Sequence, residues 1–159
     1  MSQQGVKPEE DSLEGILIVI LGVLVVLGGT TLIYIGVARS IPVGDMTPYE
    51  LERDLLSRWI WAGFGSLFFI YGLLGTFMER IEVGWSGRHY KVTTLLKGTS
   101  ALVAGVGTTV GGVLLLITAA IYFYPTLIFT IHPFATLVSG FASVIISWIC
   151  GPIIRALGY

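Results

Sequence analysis

The chain has little charge. Only 12% of its 159 residues are Asp, Glu, Lys or Arg, about half the share of about 25% found in soluble domains. Four segments carry no charge at all, and they cover residues 16–38, 59–78, 99–124 and 134–154. Each matches or exceeds the roughly 20 helical residues that cross a hydrocarbon core of about 30 Å. The composition therefore argues against a soluble domain and predicts four membrane-spanning helices.

Cysteine is nearly missing and asparagine is wholly missing. The single Cys150 lies in the fourth segment, so an intrachain disulfide is excluded. Without asparagine, N-glycosylation is excluded as well. Acidic and basic side chains at membrane depth usually mark proton relays, ion paths and transport sites. Their absence from the four segments argues against a proton-coupled antiporter and against a voltage sensor.

The segments arrange into one simple architecture. We predict an all-α integral membrane protein, with a polar acidic N-terminal tail over residues 1–14 and a single four-helix membrane domain over residues 15–159. Its loops are short. In the first loop, Thr47 and Glu50 flank Pro48 as a capping box, which predicts an amphipathic lead-in helix over residues 48–58. Pro125 should end the third helix, and Pro133 should begin the fourth.

The second loop is the one sizeable polar segment between the spans. The runs RIEVGW and RHYKVT flank Ser86-Gly87 and predict a small β-hairpin with a tight turn. A lone hairpin is marginal in water, so this one requires the membrane surface or a partner. Its basic residues are candidates for contact with anionic lipid headgroups, and a purely topological role is equally open. They are Arg80, Arg88, Lys91 and Lys97.

The distribution of Lys and Arg predicts the orientation of the helices. With four spans, the N-terminal tail, second loop and C-terminal tail share one side and carry six basic residues, whereas the first and third loops carry three. Cytoplasmic loops are enriched in Lys and Arg. We therefore expect the N- and C-termini to be cytoplasmic, or inside the particle if the membrane is that of an enveloped particle.

The stretch GVGTTVGG, residues 105–112, raises the question of a phosphate-binding loop. Dinucleotide fingerprints require a preceding strand and an acid about 20 residues further on. Here the flanks are TSALVA and VLLLITAA, and no acid follows Glu82. No lysine follows the glycines either, which also excludes a phosphate loop. Nucleotide binding is rejected, and we expect neither a cofactor nor a nucleic-acid partner.

A helix-packing role explains these glycines better. On a helical wheel, Ser100, Ala104, Gly107 and Gly111 fall on one narrow face, which we take as a small face opposite a bulky one. Small residues let membrane helices approach closely, and the first and fourth spans repeat the theme. We expect the third and fourth spans to pack through their small faces. The predicted helix-packing residues are Gly15, Gly22, Gly29, Gly36, Ser100, Ala104, Gly107, Gly111, Ser139, Ser143, Ser147 and Gly151.

Polar groups within or between the spans have two interpretations. Thr30, Thr31, Thr108, Ser139 and Tyr34, among others, either line a polar path or donate hydrogen bonds to nearby carbonyls. We favour the second, because such back-bonding is the common arrangement in helices. The two histidines are isolated and a metal site needs three or four ligands, so no metal is expected. No catalytic residue is predicted, and we expect the protein not to be an enzyme.

Two functions remain. We favour a non-enzymatic structural or accessory membrane protein, packed through its small-residue faces in a larger assembly such as a membrane complex or an enveloped particle. The alternative is a small oligomeric channel or transporter with a Thr/Ser-lined path for a neutral or weakly charged solute. The expected partners are the lipid bilayer and other membrane subunits or further copies of the chain.

Overall fold

The structure is a computed structural model, and it describes residues 10–40, 55–86, 91–124, 126 and 131–159. Four helices and two strands make up this part of the chain. In order they are α1 (Glu10–Ser40), α2 (Leu55–Phe77), β1 (Arg80–Ser86), β2 (Lys91–Lys97), α3 (Thr99–Phe123) and α4 (Pro133–Ala156). The capping box at residues 47–50 and most of the predicted lead-in helix lie outside the described residues, while residues 55–58 belong to α2 itself.

All four helices are long and apolar enough to cross a membrane, which confirms the prediction from the charge-free segments and indicates a multi-pass membrane protein. The helices extend beyond several of the predicted bounds. The helix α1 begins at Glu10, so the end of the predicted polar tail is helical. A helix can carry charged residues past the apolar segment because its ends reach the aqueous interface.

The ends of the third loop follow the prolines. The helix α3 ends at Phe123, with Tyr124 as its C-cap, and α4 begins at Pro133. The Nδ1 atom of His132 accepts a hydrogen bond from the N–H of Ala135 at 3.2 Å. His132 therefore caps the helix N-terminus through its side chain, a role that the sequence analysis did not assign. Pro152 lies inside α4, which continues to Ala156.

The helix α3 is the centre of the molecule. It packs against α2 along one side and against α4 along another, while α1 lies against α4 and α3. In the apolar 18-residue stretch of α3, 56% of the residues are buried, compared with 17% in the corresponding stretches of α1 and of α2. The two outer helices therefore present apolar side chains outward, as lipid-facing helices do.

The hairpin is present, but its register differs from the prediction. Ser86 pairs with Lys91 and Ile81 pairs with Leu96 in an antiparallel ladder, so residues 87–90 connect the strands and the predicted tight turn at Ser86-Gly87 is wrong. The observed register places Ile81 and Leu96 on one face, where both are buried. Val83, two residues further along β1, is buried on the same face, because side-chain direction alternates along a strand.

The hairpin folds back along α2. Ile81 packs against Gly75, the hydroxyl of Tyr71 donates to the carbonyl of Glu82, and Gly84 shares a groove with Phe68 and Phe64. As β1 proceeds, its partners thus move down α2 from its C-terminal end. Phe68 lies nine residues before Phe77, about 13 Å along the helix. The chain's own helices cover the inward face of the hairpin.

Candidate functional site

The predicted small faces of α3 and α4 lie against each other. A Cβ on Gly107 would meet the Cβ of Ser147, and one on Gly111 would lie 2.6 Å from the carbonyl oxygen of Gly140. The hydroxyl of Ser143 donates to the carbonyl of Gly107 over 2.9 Å. This contact combines close backbone approach with an interhelical hydrogen bond, the two means by which helices associate where water expulsion is absent.

The C-terminal part of the same interface is closed by Gly151. A Cβ there would lie 3.2 Å from the Cβ of Ala104 and 3.3 Å from the carbonyl oxygen of Ser100, and it would also meet the side chain of Leu96. Seven predicted packing residues of α3 and α4 thus belong to one continuous contact between the two helices, which Leu96 of β2 borders at Gly151. What lies against GVGTTVGG on this side is the chain's own fourth helix.

A second small face on α3, which was not predicted from the sequence, meets α2. A Cβ on Gly72 would lie 2.7 Å from the carbonyl oxygen of Gly105, and one on Gly65 would lie 2.8 Å from the backbone nitrogen of Leu116. Gly112 faces the backbone of Phe69 in the same way. The expectation of a single small face opposite a bulky one is therefore wrong. In the sequence, this second face is marked by the seven-residue spacing of two glycines in each helix, Gly65 and Gly72 in α2 and Gly105 and Gly112 in α3.

Only some of the glycines that recur every seventh residue in α1, from Gly15 to Gly36, pack against other helices. A Cβ on Gly22 would meet the side chains of Val103 and Ile154, and one on Gly29 would lie 3.1 Å from Ile146. Gly15 and Gly36 have no such neighbour within 4 Å among the described residues. Only the middle of the row therefore packs, because α1 meets α3 and α4 along the central part of its length.

Most of the hydroxyl groups in the helices are held by their own backbone. Thr108 donates to the carbonyl of Ala104, and the indole N–H of Trp148 then donates to the Thr108 hydroxyl over 3.0 Å. Others donate to a carbonyl three or four residues earlier, and they are Thr30, Thr31, Thr76, Thr109, Thr118, Thr136 and Ser147. The hydroxyl hydrogens in these bonds are therefore not available to donate to a solute in a polar path.

Several hydroxyl groups of the helices line one common cleft. It has a volume of about 310 Å³ and lies between α1, α3 and α4, lined by Thr30 and Tyr34 of α1, by Leu114 and Ile117 of α3, and by Thr136 and Ser139 of α4. Ser139 is fully buried and its Oγ has no hydrogen-bond partner. Ser139, a predicted packing residue, lies at this cleft between α1, α3 and α4.

The basic residues of the hairpin divide into two places. Arg80 pairs with Lys97 at the base of the ladder, whereas Lys91 lies at the opposite end of β2 and Arg88 lies outside the described residues. Lys97 lines an open cleft of about 420 Å³ together with Arg155, Ser100 and Tyr159. Arg155 was not among the predicted lipid-contact residues, because nothing local connects the end of α4 with β2.

This cleft lies at the end of the molecule where the start of α1 meets the residues that follow α4. The hydroxyl of Tyr159 donates to the Glu14 carboxylate over 2.9 Å, and the guanidinium of Arg155 donates to the carbonyl of Leu95 over 3.0 Å. The start of α1, the end of α4 and the base of the hairpin are therefore adjacent. Two cations within one cleft at a helix end form a site that suits an anionic oxygen group.

Metal-binding capacity is low in the described part of the chain, where no group of three or more His, Cys, Asp or Glu residues comes together. His132 is buried and serves as the helix cap. Cys150 lies in an apolar groove between α1 and α4 that includes Ile18 and Ile153. The geometry gives neither residue a ligand set.

The architecture is that of a helical protein with four candidate membrane spans, a central glycine-rich helix and one short antiparallel hairpin along its side. Comparisons of the chain with protein-family models, with curated proteins and with solved structures find no match. The function of this chain is therefore inferred from its own sequence and geometry.

Proposed function

We propose that this chain is a non-enzymatic structural or accessory integral membrane protein that acts as a subunit of a larger membrane assembly. The observation that carries the proposal is the position of the hairpin. It lies along the side of α2, down to the level of Phe68, rather than beyond the helix ends.

A hairpin in this position requires cover on its outward side. Its inward face buries Ile81, Val83 and Leu96, but Leu95 on the other face is 48% exposed. Non-helical backbone at membrane depth is stable only where protein covers it or where it lines a water-filled cavity. A second subunit seated on the hairpin provides that cover, since the open edges of a two-stranded sheet carry unpaired backbone groups and each of these costs several kcal/mol in hydrocarbon.

The glycine faces play a different part from the one expected from the sequence. Gly72 and Gly105 meet between α2 and α3, and Gly107 meets Ser147 between α3 and α4. These small faces stabilise the subunit from within. Contact with a partner therefore falls to the outward face of the hairpin.

Site-specific photo-crosslinking in the native membrane tests the proposal. A crosslinking amino acid at Leu95 should capture a second protein chain, and mass measurement of the complex purified in mild detergent should show a hetero-oligomer or an extended lattice. The matched control is Leu24 on α1, which is 60% exposed and distant from the hairpin. A monomer whose Leu95 position captures only lipid would refute the assembly role.

The alternative function, a small oligomeric channel or transporter for a neutral solute, is favoured by one observation, the polar cleft at Ser139. In this case the purified protein should be a closed homo-oligomer and should accelerate glycerol or urea flux in liposomes. Ser139→Leu should abolish the flux by filling the cleft. Flux at the level of empty liposomes for the native protein would remove this alternative.

A further inference from the structure

Ser139 is exceptional among the hydroxyl groups of the described helices. Its side chain has no solvent exposure and its Oγ has no hydrogen-bond partner. Two other buried hydroxyl groups of α4, those of Thr136 and Ser147, donate to a carbonyl three residues earlier. A helix normally satisfies a buried serine in this way. A buried hydroxyl without a partner costs free energy, so a native instance requires an explanation.

The cleft supplies a reason. Ser139 lines it together with Tyr34, Thr30 and Thr136, and Leu114 and Ile117 form its apolar wall. The cleft is open to its surroundings rather than enclosed. Because α1, α3 and α4 are candidate membrane spans, those surroundings include lipid.

The hydrogen-bonding capacity of the cleft is specific. Ser139 is able both to donate and to accept. The Tyr34 oxygen accepts a hydrogen bond from the backbone N–H of His132 at 3.4 Å, which leaves the phenolic hydrogen to donate. The Thr30 hydroxyl donates to Val26 and retains a lone pair. None of the residues that line the cleft carries a formal charge, so a charged group would have no counter-ion there.

We propose that the cleft between α1, α3 and α4 binds the hydroxyl or carbonyl group of a neutral amphiphile taken up from the surrounding lipid, with Ser139 and Tyr34 as its hydrogen-bond partners and the wall of Leu114 and Ile117 against its apolar body. Binding in this cleft requires that the helices lie in a membrane, but it does not require the assembly role. The cleft proposal and the assembly proposal can therefore fail independently.

The test uses the full-length protein in phosphatidylcholine nanodiscs and two photoreactive probes. One is a dodecanol with a diazirine in the middle of its chain, and the other is the same diazirine hydrocarbon without the hydroxyl. The alcohol should label the peptide that contains Leu114 and Ile117 more strongly than the hydrocarbon does, and excess 1-dodecanol should compete. Ser139→Ala should lower this labelling about two- to tenfold, the effect of one net hydrogen bond.

The matched control is Ser143→Ala, because the Ser143 hydroxyl already donates to Gly107 inside the protein. It should lower the melting temperature but leave the labelling unchanged. Ser139→Ala should leave the melting temperature of the probe-free protein unchanged or raise it, since an unsatisfied group is removed. If Ser139→Ala fails to fold, Tyr34→Phe should produce the same loss of labelling.

Three results would overturn the proposal. Equal labelling by alcohol and hydrocarbon would mean that Ser139 holds no ligand group and at most an ordered water. Undiminished labelling in both Ser139→Ala and Tyr34→Phe would mean that the probe does not bind in the cleft. An equal loss in Ser143→Ala would show that the labelling reports helix packing alone.

Discussion

Tyr71 of α2 donates its phenolic hydrogen to the backbone carbonyl of Glu82 in β1 over 2.5 Å. Directly opposite in the ladder, the carbonyl of Leu95 in β2 accepts from Arg155 of α4 over 3.0 Å. One rung of the hairpin is therefore held at both edges, by α2 on one side and by α4 on the other. A two-stranded sheet is marginal alone, and these bonds attach it to the helices.

We expect Tyr71→Phe to loosen the hairpin without unfolding the helices. The variant removes one hydrogen bond worth about 0.5–1.5 kcal/mol, so backbone amides of β1 should exchange with deuterium roughly two- to tenfold faster. Tyr34→Phe is the control, because Tyr34 lies near the third loop and His132. Unchanged exchange in Tyr71→Phe would mean that the apolar face alone holds the hairpin.

The contact between α2 and α3 should tolerate no side chain at Gly72. In Gly72→Ala the new Cβ would meet the backbone of Thr109 and Gly105, so the helices must separate, at a cost of about 1–3 kcal/mol. Gly63→Ala on the same helix has nothing within 4 Å and should change stability by less than about 0.5 kcal/mol. Denaturant unfolding in detergent micelles measures both. Equal stability of the two variants would contradict the observed contact.

The contact between α3 and α4 predicts a compensating pair. Gly107→Ala should destabilise the protein, because its Cβ would meet that of Ser147. Ser147→Gly should restore part of the loss in the double variant, since it vacates the same space. The expected coupling energy is about 0.5–3 kcal/mol for residues in direct contact. Strictly additive effects in this double-mutant cycle would mean that the two positions do not touch.

Lys97 should contribute to anionic lipid binding more than Lys91 does. Lys97 shares its cleft with Arg155, whereas Lys91 lies six residues away at the other end of β2, about 20 Å along the strand. A basic residue near an anionic surface contributes about 1 kcal/mol, so Lys97→Gln should weaken retention of phosphatidylglycerol about fivefold. Native mass spectrometry measures that retention, and an equal effect of Lys91→Gln would refute a defined headgroup site.

The orientation of the helices stays a prediction from Lys and Arg counts. With Cys150 replaced by Ala, a cysteine at Ala156 should be protected from a membrane-impermeant maleimide in intact cells, while one at Ser40 should react. Both positions are exposed and lie at helix ends. The opposite labelling pattern would reverse the assignment and place the termini outside.

The sequence predicted the helices well because the relevant physics is local. The length of a charge-free run decides whether a helix is able to cross a membrane, and Pro133 starts α4 because its missing N–H costs nothing at a first turn. The hairpin was also recognised from its strand composition. Its register was not, since the pairing of Ile81 with Leu96 is decided by the helices beneath them.

The faces of α3 show most clearly what the sequence alone determined and what required the tertiary structure. A helical wheel places Gly107 and Gly111 on one side and Gly105 and Gly112 on the other, because the angle between residues is a property of any α-helix. Only the packed structure decides that α4 takes the first pair and α2 the second. The same holds for Ser139, which is a serine in the same four-residue row as Ser143. The Ser143 hydroxyl donates to Gly107 and that of Ser139 has no partner, because partners across helices depend on contacts that no local pattern specifies.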